Sequence, residues 1–210
     1  MVIFMKKIKT FNKILIIMII IISLFLSFKE LFNFQIVNFF KKLSIIPIIF
    51  IPIFSRKIFK KGMYYIIESI YIIFMFLAFY LGYILNIYNI IDGYDKFIHT
   101  LFGLVTSLYA LKILKLNKVN KLKFNIIFII SFTMFSSSMW EFSEFFHDKI
   151  FGNDNQGVAL TGVNDTMLDM LVSFIGTIMF NIIYYIEEKY NKNFLIKQYL
   201  KLVRDVVNKV

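Results

Sequence analysis

The chain has 210 residues, of which 59% are hydrophobic and 19% aromatic, and it contains no cysteine. Soluble domains are about 45–50% apolar, so the composition excludes an ordinary soluble domain, and the lack of cysteine excludes disulfides, thiolate metal sites and thiol catalysis. The formal charge of +11 would suit a nucleic-acid-binding protein, but the distribution of that charge along the chain favours another explanation.

Long apolar segments predict an all-α polytopic membrane protein with about six transmembrane helices. The first is predicted at residues 14–28, behind a short basic segment and without a small-residue cleavage site after it. Residues 31–54 predict either one kinked helix or an interfacial piece followed by a short one, because two lysines interrupt the segment and two prolines bend it. Four more helices are predicted at residues 62–85, 97–114, 124–146 and 167–186. We expect one transmembrane domain over residues 1–186 and an amphipathic cytoplasmic tail over residues 187–210.

The basic residues predict the orientation in the membrane. Of the 24 lysines and arginines, 19 fall into four groups, which lie before the first helix, at residues 56–61, at residues 112–123 and after Glu187. With six helices, all four groups lie on one side, which the positive-inside rule identifies as cytoplasmic. Both termini are therefore predicted to be cytoplasmic in a cell-membrane protein, and we interpret the positive charge as a topology signal and predict no nucleic-acid partner.

The acidic residues show the opposite bias. Eight of the thirteen lie between Asp92 and Asp169, at the predicted outer ends of three helices. A carboxylate near the bilayer centre costs roughly 2.5–3.5 kcal/mol, so a group of them in apolar segments points to a function. Oxygen and imidazole ligands suit Zn, Mn or Fe. The candidate metal ligands are Asp95, His99, Glu141, Glu144, His147, Asp165 and Asp169.

Helical spacing predicts how these side chains meet. Spacings of three or four residues put three pairs on single helix faces: Asp95 with His99, Glu141 with Glu144, and Asp165 with Asp169. The helical rise predicts a layer of His99, Glu144 and Asp169 about 4.5–6 Å below the interface, with Glu141 about 9 Å deep. Small residues that favour close helix packing continue the same faces inward: Gly103, Ser107, Ser137, Ser173 and Gly176. Five close carboxylates cannot all stay ionised without a cation, so either several carry protons or a metal ion neutralises them.

Single members of the set also have structural explanations. Asp95 and Asp165 suit helix N-caps, and for Asp165, which follows a loop, capping is the favoured single role. A lone His99 is more often packed or capping, and His147 suits the interface. Asp169 and Glu141 are harder to explain structurally because they lie inside apolar segments.

One combination of motifs resembles a known family. Asp95-Lys96-x-x-His99, Trp140-Glu141-x-x-Glu144, Gln156 and Asp165-Thr-Met-x-Asp169 with Gly176 resemble the bacterial inner-membrane family typified by YjdF. This resemblance covers the chain from the third predicted helix onward and implies six helices without implying an activity.

A more distant resemblance is to VanZ-like proteins, which are associated with glycopeptide resistance. They share an Asp-Lys-x-x-His helix start, a Glu…Gln pair and an Asp before a glycine-bearing last helix. VanZ-like proteins usually add an arginine between the Gln and the Asp, and none occurs between Gln156 and Asp169.

Three functions fit these patterns. The first is a metal-dependent envelope enzyme or lipid-handling protein that acts on a lipid-linked substrate, with Glu141, Glu144 and Asp169 as catalytic acid/base groups or ligands. Asp95 and Asp165 would then orient the ligands. The second is an ion- or proton-coupled transporter of small solutes, and the third is a non-catalytic membrane scaffold. The inner halves of the last three helices carry mostly Ser, Thr and Asn181 and no buried charge, which favours a one-sided site over a path through the membrane.

Overall fold

All regular structure in the computed structural model is helical over the residues that it describes, which are 2–51, 65–152 and 154–200. The chain divides into two compact units, Met1–Tyr94 and Asp95–Val210, and each unit has its own apolar core.

The described residues contain five helices that are long and apolar enough to cross a membrane: Lys6–Phe32, Tyr65–Ile84, Tyr94–Leu116, Leu122–Phe151 and Asn164–Lys189. The predicted all-α polytopic membrane fold is thereby confirmed. The assignment of residues 1–186 to one transmembrane domain and of residues 187–210 to a cytoplasmic tail stays a prediction.

The first unit begins with one long helix and two short ones. Helix α1 (Val2–Phe32) ends where Phe34 takes a left-handed conformation with φ 58°. Helices α2 (Ile36–Leu43) and α3 (Ile45–Ile49) follow. Ser44 between them keeps a right-handed helical conformation with φ −61°, so the two predicted alternatives for residues 31–54 both stay open. Pro52 and the basic group at residues 56–61 lie outside the described residues.

Helix α4 (Tyr65–Met75) continues as a π-helical segment, Phe76–Ile84. The wider winding is visible where the N–H of Leu85 donates to the carbonyl of Tyr80, five residues earlier, at 3.0 Å. The first three residues of the helix predicted at 62–85 lie outside the described part of the chain.

A buried asparagine ties α1 to α4. The Asn12 amide donates to the carbonyl of Tyr65 at 2.8 Å, and the Ser69 hydroxyl donates to the Asn12 oxygen at 2.6 Å. Asn12 is 2% exposed. In lipid such polar contacts hold helices together, because apolar burial gives little advantage over the surrounding chains.

The second unit is built on three long helices, α5 (Tyr94–Leu116), α6 (Leu122–Phe151) and α8 (Asn164–Lys189), with a single turn, α7 (Val158–Thr161), before the last. The three helices predicted at residues 97–114, 124–146 and 167–186 are confirmed. Each is longer than predicted by two to five residues at each end, because hydropathy marks only the apolar part of a helix while its backbone hydrogen bonds continue into the polar ends.

Helices α5 and α8 touch through their backbones. A Cβ atom at Gly103 would lie 2.1 Å from the carbonyl oxygen of Ser173, and one at Gly176 would lie 2.3 Å from that of Thr100. The Ser173 hydroxyl donates to the carbonyl of His99 at 3.0 Å. The close packing expected from the small residues is therefore present, and it sets the two helices in register.

A buried carboxylate lies at the other end of α8. Glu187 is 0% exposed and accepts hydrogen bonds from the backbone N–H groups of Ile196 at 3.0 Å and Lys197 at 2.6 Å. These are first-turn N–H groups of the helical residues 195–200, which an anion caps well. Residues 201–210 of the predicted tail lie outside the described part.

We predict that Gly103→Ala destabilises the protein by about 1–3 kcal/mol, because the added methyl group forces the two backbones apart. Thermal unfolding in detergent, followed by circular dichroism, measures the change. The control is Ile113→Ala, which removes a 36% exposed side chain from the same helix and should change stability by less than about 0.5 kcal/mol. Equal stability of Gly103→Ala and the wild type would contradict the backbone contact.

Candidate functional site

Polar side chains from three helices meet at one end of the second unit. The first two turns of α5 carry Asp95, Lys96 and His99, and the first two turns of α8 carry Asp165 and Asp169. The later part of α6 supplies the remaining members. The backbone contact between α5 and α8 brings the starts of these two helices together, so residues some 70 positions apart in the sequence become neighbours.

Lys96 is the centre of the aspartate group. Its ammonium donates to Asp165 Oδ1 at 2.5 Å, to Asp169 Oδ1 at 2.8 Å and to Asp95 Oδ2 at 3.0 Å. A lysine has three N–H donors, and here each one has its own carboxylate. The side chain is 28% exposed, whereas that of Asp169 is 3% exposed. Lys96 therefore joins α5 to α8 and partly balances three carboxylates in a half-buried position.

His99 lies beside Lys96 and separates two groups of acids. Its Nε2 atom is 3.6 Å from Asp95 Oδ1 and 3.9 Å from Asp169 Oδ1, and its Nδ1 atom is 3.9 Å from Glu141 Oε1. The residue is 1% exposed. Nδ1 has no hydrogen-bond partner among the described residues. A fully buried imidazole nitrogen without a partner is uncommon and needs an explanation.

Glu141 is also buried with poorly satisfied polar atoms. The residue is 3% exposed, and neither carboxylate oxygen makes a hydrogen bond of good geometry in the described part of the protein, although the Thr166 hydroxyl is a neighbouring donor. The hydroxyl of Ser137, one turn earlier on α6, is also buried without a described partner. An unpaired buried carboxylate is costly, so this corner of the site has a strong demand for a proton or a cation.

Trp140 orients the second glutamate of α6. Its indole Nε1 donates to Glu144 Oε1 at 2.6 Å. The same indole packs against the His99 ring, with centroids 5.1 Å apart, and against Phe102 at 4.9 Å. One aromatic side chain thus sets the positions of both His99 and Glu144.

The loop after α6 folds back over this end of the unit. Asp148 accepts hydrogen bonds from the backbone N–H groups of Asn155 at 2.9 Å and Gln156 at 3.0 Å. The Gln156 amide donates to the hydroxyl of Thr166 at 3.3 Å and to the carbonyl of Glu141 at 3.4 Å. The loop therefore connects the polar part of α6 to the start of α8.

Two triads of these residues bring possible metal-ligating atoms close together. The possible ligand atoms of Asp95, His99 and Asp169 lie within 4.8 Å of one another, and so do those of His99, Glu141 and Glu144. His99 belongs to both triads, through a different ring nitrogen in each.

Comparison with known protein families finds a match for most of the chain. A family model described as "Predicted membrane protein (DUF2238)" matches residues 11–189. The chain belongs to this family. No curated protein and no solved structure matches the chain significantly. The match to DUF2238 includes both units and every helix that forms the polar site.

In this DUF2238 protein, most of the sequence-predicted site residues are neighbours, and five of the seven form the two triads. Asp165 joins them through Lys96. His147 does not belong to a triad: its Nδ1 atom is 2.7 Å from the Asn155 amide, and its ring packs on Phe151 with centroids 4.7 Å apart.

One geometric expectation differs from the structure, and another stays a prediction. The cap of α8 is Val163, with no side-chain hydrogen bond, so the N-cap role expected of Asp165 is wrong; its carboxylate binds Lys96 instead. Glu141 is predicted about 3–4.5 Å below the layer of His99; its Oε1 atom lies 3.9 Å from His99 Nδ1, and its depth stays a prediction. Helix α6 extends to Phe151, so His147 does not mark its end.

Sequence reasoning missed the central role of Lys96. Lys96 entered only as part of a family motif, because the i and i+3 positions of Lys96 and His99 do not reveal that both side chains turn towards α8. Trp140 and Gln156 entered only as parts of a family motif. The missed signal was the lysine itself, because Lys96 is the only lysine or arginine between Lys61 and Lys112.

We predict that Lys96→Met lowers the free energy of unfolding by about 1–3 kcal/mol at neutral pH, less than for a fully buried pair because the side chain is partly exposed. Three aspartates would then face one another without their cation. Chemical unfolding in detergent measures the loss. Lys96→Arg keeps the charge and is the control, so it should retain more stability than Lys96→Met. An equal loss in both variants would contradict the electrostatic explanation.

Proposed function

We propose that the protein binds one divalent transition metal ion, Zn, Mn or Fe, through His99, Glu141 and Glu144, and that this centre serves in the handling of an envelope lipid. The observation that carries the proposal is the set of buried atoms without a described hydrogen-bond partner: His99 Nδ1 and both oxygens of Glu141. Buried polar atoms in this state suggest an ion that is bound in the functional protein.

The donor set suits such an ion. It combines one imidazole nitrogen with two carboxylates, a mixture typical of catalytic transition-metal sites. Two atoms that bind one ion at about 2.0–2.2 Å lie at most about 4.4 Å apart. The ligand atoms of this triad lie within 4.8 Å, so shifts of a few tenths of an ångström would bring all three into range. Trp140 would restrict Glu144 from outside the ligand shell.

The charge balance favours a cation on the Glu141 side. Five carboxylates gather around one ammonium group, and that ammonium donates only to the three aspartates. The two glutamates of α6 have no lysine or arginine among the ion-pair partners that the described residues provide. A divalent ion would offset both of their charges.

The chemistry follows from the ligands and their neighbours. A bound ion would polarise a phosphoryl or carbonyl oxygen, or activate a water molecule. In this proposal Asp169, next to His99 on the opposite side of the ring, is the acid/base group, while Asp95 and Asp165 orient Lys96 and His99. Helix α6 exposes apolar side chains along its length, such as Ile127 and Phe135, so the polar site lies at the end of a surface that suits lipid.

The resemblances noted in the sequence fit this proposal. The motif residues Asp95, Lys96 and His99 meet Glu141 and Asp169, which is what a shared site in the family typified by YjdF would require. The VanZ-like resemblance is less complete, because the arginine of that pattern is missing. We further propose that the protein lies in the bacterial inner membrane with both termini in the cytoplasm, so that the polar site faces the envelope and a lipid-linked substrate.

We predict that protein purified without chelator and dialysed against Zn²⁺ or Mn²⁺ retains about one ion per chain. Glu141→Gln and Glu144→Gln keep the shape of the side chain and remove its charge, so the affinity should fall at least about tenfold. Asp169→Asn should retain the ion. Elemental mass spectrometry measures the content, and Glu188→Gln, at the other end of the unit, is the control. A well-folded wild-type protein that retains no metal would contradict the proposed metal site.

A second candidate is an ion- or proton-coupled transporter, and one observation favours it. Below Glu141, α6 carries Ser137 and Thr133 at four-residue steps and Asn125 eight residues further back, all 0% exposed, with the apolar Ile129 between the last two. Lys112 and Glu187 are buried near the other end of the unit, so the expectation that the inner halves carry no buried charge is wrong. Many of these hydroxyls bond to their own helix, as Thr177 does to the carbonyl of Ser173 at 3.0 Å, so helix packing explains them equally well.

Proton flux into liposomes distinguishes the transporter from the metal centre. For a transporter we predict that a potassium diffusion potential acidifies the lumen faster than in empty liposomes, and that Glu141→Gln abolishes the flux while Lys149→Gln retains it. If the protein binds metal but its proton flux equals that of empty liposomes, the metal centre is the remaining interpretation. If it shows neither proton flux nor bound metal, the non-catalytic scaffold is the remaining interpretation.

A further inference from the structure

We infer that the ammonium of Lys96 occupies the position of a second metal ion, so that the site holds a single metal on the glutamate side of His99. The inference rests on the proposed function and adds a residue that sets how many ions the site accepts. Without that ammonium, the two triads that share His99 would form a site for two ions bridged by its ring, which would bind the second ion as an imidazolate and release its remaining N–H proton to solvent.

The argument begins with one oxygen atom. Asp169 Oδ1 is the oxygen that faces His99 Nε2, at 3.9 Å, and it is also the oxygen that accepts a hydrogen bond from Lys96 at 2.8 Å. An ion held by Asp95, His99 and Asp169 would need this atom. The ammonium already uses it, and two positive charges on one oxygen repel each other.

The other carboxylates of this group complete the enclosure of the ammonium. Asp95 uses Oδ2 for Lys96 and turns Oδ1 towards His99. Asp165 Oδ1 accepts the third N–H at 2.5 Å. All three donors of Lys96 are thus used, in the manner of a metal ion surrounded by carboxylate oxygens.

Among the described residues, no lysine or arginine forms an ion pair with Glu141 or Glu144 on the other side of the ring. Glu141 Oε1 faces His99 Nδ1 at 3.9 Å, and neither this nitrogen nor either Glu141 oxygen makes a hydrogen bond of good geometry in the described part of the protein. The two sides of one buried imidazole therefore differ: a lysine fills the first, and the second is available to an ion.

A charge-matched double variant tests the inference. Lys96→Met with Asp165→Asn removes one positive and one negative charge and keeps Asp95, His99 and Asp169. We expect this variant to bind two Mn²⁺ ions per chain at saturation, against one for the wild type, in the full-length protein in detergent. A second variant for the same test is Lys96→Gln with Asp165→Asn, which retains amide donors and for which we also expect two Mn²⁺ ions per chain.

The control removes an ion pair of the same kind from the same two helices. Lys115 Nζ lies 3.6 Å from Glu188 Oε1 at the other end of α5 and α8. Lys115→Met with Glu188→Gln should leave the number of bound ions unchanged. Elemental mass spectrometry after equilibrium dialysis counts the ions in each protein.

The outcomes separate this inference from the proposed function. One ion in the wild type and two in the double variant support both, and one ion in each overturns the inference alone. No ion in the wild type and one in the variant supports the role of Lys96 and overturns the glutamate site, and no ion in either overturns both. A wild type that saturates at two Mn²⁺ ions overturns the inference without any variant.

Discussion

The contact between the backbones of α5 and α8 is the constraint on which the site depends. Gly103 and Gly176 each lie against a carbonyl oxygen of the other helix, where a methyl group has no room. Lipid gives helices little hydrophobic reason to associate, so close approach and interhelical hydrogen bonds have to hold them. Because the helices meet at these glycines, the turns before them bring Lys96 and His99 of α5 against the aspartates of α8.

The charged residues make this arrangement specific as well as stable. An ammonium with three carboxylates has only one satisfactory position, and it fixes the register of α5 against α8 at their common end. The acids of α6 are not balanced in this way, so the second unit combines a saturated polar group with an unsaturated one on either side of His99. A purely structural cluster needs only polar groups that are balanced, as the aspartates are by Lys96. The unbalanced glutamates of α6 are what suggests a ligand.

The sequence predicted the helices, the small-residue faces and the group of acids, because all three follow from helical periodicity and from the cost of charge in lipid. It did not predict which acids Lys96 would bind, since the direction of a long, flexible side chain depends on a neighbouring helix that is 70 residues away. The role of Asp165 was wrong for the same reason: a local pattern suggested a cap, and a distant lysine offered a stronger partner. The sequence permits two interpretations of residues 31–54, one kinked helix or two separate pieces, because prolines permit both a kink and a break.

The position of His99 between two unlike acidic groups has a consequence for its proton. A neutral imidazole carries hydrogen on only one nitrogen. If Nδ1 coordinates a cation beside Glu141, the hydrogen must lie on Nε2, where it points towards Asp95 and Asp169. The tautomer of this one ring would therefore report whether an ion is bound beside Glu141, and its Nε2–H would then face Asp95 and Asp169.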